Sequence, residues 1–347
     1  MKLDYLIVGQ GIAGSALALA LIKRGKRIKI IDAYTPHIPS LAAGAVVNPV
    51  TGKKLSFTWR IDELLPYSTQ YYTALENELG DQCISLRPIH RYFINPEDRR
   101  FFDERANDLK NHVRLLDKDK LVLDAPYGAI EIKHTCQLHP RAIHNTCRNY
   151  FKQMGYLIEN QFDYQQVEIQ QNWVAYQNWQ ATHIVFCEGG QIKNNPWFNY
   201  LPLKQAKGEA IIIEMDGLPE DRILLKGLFI IPEGNNRYYV GSTNEWQAGE
   251  PYPSAHQLEE LTTKVAAITQ KPFKVLQHLS AFRPNVIDRR PILGKHPSHP
   301  SLAIFNGLGT KGFSLAPYFA EHLTNHLEEG KQLLAEVDIR RFNHYLK

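Results

Sequence analysis

Apolar positions arrive first as the unbroken run Tyr5-Leu6-Ile7-Val8, then as an Ala- and Leu-rich stretch from Ser15 to Arg24. A short apolar run bounded by glycine has strand character, and the longer stretch has the length and residue types of a helix. Between them stands Gly9-Gln10-Gly11-Ile12-Ala13-Gly14, so the order reads strand, glycine turn, helix. Gly25 ends the helix, Arg27 to Ile31 forms a second strand and Asp32 closes it. This is the βαβ opening of a Rossmann-like α/β domain with a mainly parallel sheet.

The same succession returns near the C-terminus, with a strand from Leu302 to Phe305, a glycine-rich turn from Asn306 to Phe313 and a helix from Ser314 to Glu328. In mid-chain a helix is predicted from Arg141 to Met154. A hairpin of Gln166–Ile169 with Trp173–Tyr176 follows, then a buried strand that ends in Cys187-Glu188-Gly189-Gly190. Gly208 to Met215, Leu224 to Ile231 and Arg237 to Ser242 are β-branched and aromatic, with a turn at Glu233 to Asn236, as sheet strands require. Phe57 to Pro66 and Glu245 to Pro253 show no pattern and are expected to be loops that shape a pocket.

In the opening turn, Gly9 permits a tight bend, Gly11 lets backbone approach a pyrophosphate and Gly14 lets the helix pack closely, with its positive end toward the phosphates. Asp32 is placed to accept hydrogen bonds from both ribose hydroxyls of an adenosine. A plain turn with Asp32 as a loop cap is the alternative, and the fingerprint alone does not separate FAD from NAD. Small residues from Ser40 to Pro49 suit backbone passing a flat, bulky group, or an ordinary loop. The second glycine turn, with Lys311 and free amides at a helix start, can bind an anion.

With 347 residues, 44% of them hydrophobic, the chain can fill two domains. Its net charge of +4 is spread in pairs such as Arg289-Arg290, which favours solvated surface over a nucleic-acid stripe. The four cysteines lack C-x-x-C spacing, which suits a reducing compartment, the cytoplasm, and argues against disulfides or zinc. None of the histidines shows metal spacing. The stretch Tyr5 to Ile22 is broken by Gln10 and three glycines, so neither a signal peptide nor a transmembrane segment is expected.

In the order and spacing of these motifs the chain resembles the D-amino-acid oxidase, glycine oxidase and sarcosine oxidase superfamily. The resemblance also rests on Lys207-Gly208-Glu209, Gly241-Ser242-Thr243, Arg283-Pro284, Asp288 to Gly294 and Ala316-Pro317. It implies an FAD domain assembled from residues 1–60, 133–200 and 285–347. Residues 61–132 and 201–284 would form an α+β substrate domain around a large antiparallel sheet. The cofactor contacts it implies are Gly9, Gly11, Ile12, Ala13, Gly14, Asp32, Ala33, Ala43, Gly44, Ala45, Glu188, Gly189, Gly307, Gly309, Thr310, Lys311 and Gly312. No cysteine lies in Gly307 to Gly312, where some sarcosine oxidases attach flavin, so noncovalent FAD is implied.

Arg283 matches the arginine that pairs with substrate carboxylate in that family, the alternative being a structural salt bridge. Lys311 is suited to stabilise negative charge on the reduced flavin, or is a surface lysine. Tyr239, with Tyr238 and Phe229, would roof the flavin against substrate, or is simply core. The implied reaction is oxidation of the C–N bond of a small amino acid or secondary amine, with oxygen or a quinone as final acceptor. Action on a modified tRNA wobble uridine and a noncatalytic FAD-binding role are the competing readings. Oligomeric state is not legible in the sequence.

Overall fold

A computed structural model describes residues 1–246 and 249–346. The opening strand is Lys2–Val8, in which Leu3 and Tyr5 point inward between more exposed neighbours before the run becomes fully buried. It pairs in parallel with Ile28–Ile31 on one side and Trp179–Phe186 on the other. Leu157–Ile158 and Leu302–Asn306 extend the parallel sheet outward at its two sides. The hairpin Val167–Ile169 with Val174–Tyr176, and the strand Ile292–Lys295, complete eight strands in antiparallel fashion.

Helices Ile12–Lys23, Pro140–Gln153 and Gly312–Glu329 bury their apolar faces on this sheet in one core that includes Leu17, Ile143, Phe151 and Phe319. Because the strands come from three separated stretches, their C-terminal ends bring chain-distant glycine turns to one edge, where open α/β sheets bind ligands.

The second sheet also has eight strands. Their order is Lys274–Val286, Leu203–Glu214, Arg237–Gly241, Leu228–Gly234, Ile223–Lys226, Ile89–Tyr92, Ala129–Ile132 and Val113–Leu115. All neighbours are antiparallel except Ile223–Lys226 with Ile89–Tyr92. The single strand expected from Leu224 to Ile231 is a hairpin, because Gly227 at φ +74° reverses the chain. Asn235 and Asn236, at φ +55° and +57°, make the next reversal, as a short hairpin requires.

Phe57 to Pro66 is largely not a loop. Ser56–Phe57 pairs with Val50–Thr51, and the helix Ile61–Leu79 begins soon after with Pro66 inside it. That helix lies within the stretch expected in the substrate domain, yet Ile61, Leu64, Tyr72 and Leu75 join the nucleotide-side core. Tyr72 donates its hydroxyl to Phe313 O at 2.8 Å and Ser68 donates to Ser314 O at 3.1 Å, so the helix braces the last one. In the expected loop Glu245 to Pro253, positions 247 and 248 lie outside the described residues. No helix among the described residues is long and apolar enough to cross a membrane. All four cysteines are free and buried.

Candidate active site

The first helix starts behind Gly11 with neither a side-chain cap nor an acidic residue in its first turn, which leaves its positive end for an outside anion. Gly9 has φ +98°, and a Cβ there would stand 2.7 Å from Cys187 O. A Cβ on Gly14 would collide with the Gly9 carbonyl, so strand and helix close up only with glycine. Ile12 N donates to Ser40 Oγ at 2.9 Å. A hydroxyl that accepts one bond still holds its own proton, and Ser40 lines the cavity where that proton can be donated.

Asp32 accepts from Gln10 N through Oδ1 at 2.9 Å and from Arg148 Nη1 through Oδ2 at 2.8 Å. Arg148 is buried and also donates to Gln10 Oε1 (2.8 Å) and Glu159 Oε1 (2.6 Å). An ionised carboxylate offers about four acceptor directions, so these two bonds leave capacity toward the cavity. Glu188, at the end of Trp179–Phe186, accepts from Tyr164 OH at 2.5 Å and Asn195 Nδ2 at 2.8 Å. Burial outweighs these bonds and pushes its carboxyl up to about 7.

At the other junction the helix Gly312–Glu329 likewise begins with no side-chain cap and no acid in its first turn. Gly307 and Gly309 take φ +73° and +55°, and a Cβ on Gly309 would stand 2.8 Å from Asn285 Oδ1. The two helix starts meet, since a Cβ on Gly312 would come within 3.2 Å of Ile12 Cγ2. Lys311 faces the same cavity, and burial, then Arg290 and Arg289, lowers its ammonium from the ordinary lysine value.

Over this edge lies the second sheet. Alternation along its strands puts Phe229, Ile231, Tyr239, Gly241, Gly208, Ala281 and Arg283 on the face toward the cavity. Arg283 donates from Nη2 to Ser242 Oγ (2.7 Å) and Thr243 O (3.2 Å), and from Nη1 to Asn244 Oδ1 and Thr243 O (both 3.2 Å). Every acceptor is neutral. Among the described residues no carboxylate pairs with it, and burial lowers its guanidinium from the ordinary arginine value. The salt-bridge alternative is therefore not realised here. Tyr239 donates its hydroxyl to Ala42 O at 3.2 Å, and burial pushes it up to about 12.

These elements enclose a cavity of about 570 Å³. Of the residues singled out in the sequence, Gly9, Gly11, Ile12, Ala13, Asp32, Ala33, Ala43, Gly44, Ala45, Glu188, Gly189, Tyr239, Arg283, Gly309, Thr310, Lys311 and Gly312 line it. Gly14 and Gly307 do not. Gly14 packs behind the wall against Gly9, and Gly307 packs against Val286 and Ile292. Tyr238 turns away, donating to Leu218 O at 2.8 Å. Lining residues the sequence reading missed include Ser40, Asn48, Phe162, Tyr164, Gln205 and Ser242. Ser40, Asn48 and Ser242 stood inside motifs noted above, whereas Phe162, Tyr164 and Gln205 carried no local signal.

Two capless helix starts, glycine backbone at both junctions and a carboxylate at the end of the second strand fit an extended flavin dinucleotide. Fold and site together define a two-domain flavoprotein of the oxidoreductase class. Residues 4–326 match the family model described as "FAD dependent oxidoreductase", and the chain belongs to that family, known as DAO. It is 24% identical over 350 residues to a glycine oxidase of Bacillus licheniformis, covering 93% of this chain and 92% of that one. Its fold is similar to that of an iminodiacetate oxidase from Chelativorans sp. BNC1, with a TM-score of 0.79, 23% identity and 98% of each chain covered. A glycine oxidase from Geobacillus kaustophilus gives a TM-score of 0.77 at 19% identity, again with 98% of each chain covered. The chain is accordingly an FAD-dependent oxidoreductase.

Proposed function

We propose that this enzyme oxidises the C–N bond of a small amino acid or carboxylate-bearing secondary amine to an imine, which water then hydrolyses. The observation that carries this reading is Arg283, a partly buried guanidinium with no carboxylate partner among the described residues, held toward the cavity by neutral acceptors. A planar fork of this kind binds a carboxylate in a bidentate, charge-assisted pair and so fixes the carbon that bears the nitrogen. The glycine oxidase and iminodiacetate oxidase relatives support the same substrate class.

Bound flavin supplies the hydride acceptor, and oxygen or a quinone takes the electrons onward. The residues proposed to hold it are those of the two glycine turns with Asp32, Ser40 and the Ala43 to Ala45 segment. Lys311, a cation at a helix start, stabilises negative charge that develops near it. Tyr239, Phe229 and Ile231 line the cavity on the side of the second sheet and present apolar surface to the substrate. No protein base is required, because the chain's task is orientation of substrate and tuning of charge.

The test is anaerobic titration of the purified yellow protein with glycine, sarcosine, iminodiacetate and D-amino acids. Bleaching of the flavin absorbance by a member of this panel supports the reading, and a protein that none of them bleaches defeats it.

A further inference from the structure

Lys207-Gly208-Glu209 stands in the strand Leu203–Glu214, and the reaction above uses only its glycine. Side chains alternate along a strand, so Gly208 lies under Arg283 while Lys207 and Glu209 share the opposite face. Their side chains are 6% and 1% exposed and form an ion pair at 2.7 Å. Glu209 has further partners. Ser254 donates its N–H at 2.9 Å and its hydroxyl at 3.0 Å to the carboxylate, and His278 Nε2 stands 2.8 Å away.

The backbone of the same residue works on a second segment. Thr243 N donates to Glu209 O at 2.9 Å, and Glu209 N donates to Thr243 Oγ1 at 3.0 Å. Lys207 brackets Glu245 in the same way, with bonds of 2.7 and 2.8 Å. Thr243 O in turn receives both terminal nitrogens of Arg283, and the adjoining Ser242 and Asn244 supply its other two acceptors. One residue thus holds the segment that grips Arg283, and also Ser254, which follows the cavity-lining Pro251 and Tyr252 and caps the helix Ala255–Thr269.

A buried ion pair adds little net stability, since a well-packed apolar pair commonly serves as well, so its presence calls for another role. We propose that the Glu209 side chain is a positioning residue for the substrate-carboxylate site: by anchoring Ser254 and pairing with Lys207 it fixes the stretch of strand whose backbone holds Thr243 and Glu245, and so keeps the fork of Arg283 in place. This rests on the reading of Arg283 as the carboxylate-binding group.

The experiment uses the FAD-loaded enzyme, glycolate as a carboxylate probe and the flavin absorbance as readout. Two variants are compared with wild type: Glu209→Ala, and the double variant Lys207→Met with Glu209→Leu, which removes both charges together and avoids an unpaired buried lysine. The expected result is a glycolate Kd raised ~10-fold in both, with FAD affinity unchanged. A folded double variant that binds glycolate like wild type overturns the role of Glu209 alone. If wild type holds FAD but glycolate leaves its spectrum unmoved, the reading of Arg283 falls, and this role falls with it.

Discussion

Arg283 lies directly across Gly208, so that a Cβ at Gly208 would collide with its terminal nitrogens. Strand register sets this up. Ala206 pairs with Arg283 and Gly208 with Ala281, so the guanidinium reaches back over the one position of the neighbouring strand that has no side chain. Gly208→Ala is therefore expected to displace the fork from Ser242 and Thr243. Titration with glycolate should show carboxylate affinity down by ~10- to 100-fold, or about 1.5–3 kcal/mol, while FAD remains bound. Unchanged affinity would mean the guanidinium does not receive the carboxylate from this position.

The pairing of Asp32 with Arg148 predicts a selective loss of dinucleotide binding. Arg148 is buried and bonded to Asp32, Gln10 and Glu159, so removing it leaves Asp32 and the Gln10 side chain without their shared donor. Arg148→Met should weaken FAD by ~10-fold or more, as expected when one partner of a buried pair is removed. FMN lacks the adenosine that Asp32 would hold, so its affinity should be nearly unchanged. Fluorescence titration with both cofactors checks this, and an equal loss for FMN would assign Arg148 a general structural role instead.

Much of the nucleotide side was legible because its signals are local. The Gly9 to Gly14 turn, Asp32 and the Gly307 to Gly312 turn each lie within a few residues of the strand or helix that explains them. Arg283 was legible only through a resemblance, since no local pattern says what a strand arginine faces. Gly227 was read as mid-strand because residues on both sides are strand formers, and only its positive φ reveals the hairpin. Arg148 and Tyr164 gave no signal, because their partners Asp32 and Glu188 lie 116 and 24 residues away and are chosen by the tertiary fold.

Lys311 carries a prediction about electronics and not about binding. Its ammonium is lowered by burial, which weakens the hold on its proton, and two further cations, Arg290 and Arg289, add to the effect. Replacement by methionine keeps the stem and removes the charge. The flavin reduction potential should fall by about 30 mV for each ~1.4 kcal/mol of charge stabilisation lost in the two-electron couple. Spectroelectrochemical titration of the FAD-loaded variant measures this, and a potential equal to wild type would place Lys311 outside the flavin's field.

Glu188 makes stability depend on pH in an unusual direction for a carboxylate. Desolvation raises its carboxyl to about 7 from an ordinary 4.5, against the opposing bonds from Tyr164 and Asn195. Between those two values the folded protein keeps a proton that the unfolded chain releases, so folding binds more protons and stability falls as pH rises. The stabilisation relative to high pH is complete below about 4.5, declines toward 7 and is gone above it. Glu188→Gln mimics the protonated group, so the apoprotein variant should lose that slope and melt higher than wild type at pH 8, by the equivalent of about 1–3 kcal/mol. Thermal melts of both proteins from pH 5 to pH 8 test this. A wild type whose stability rose from pH 5 to 7 while the variant stayed level would show that Glu188 is ionised in the folded chain.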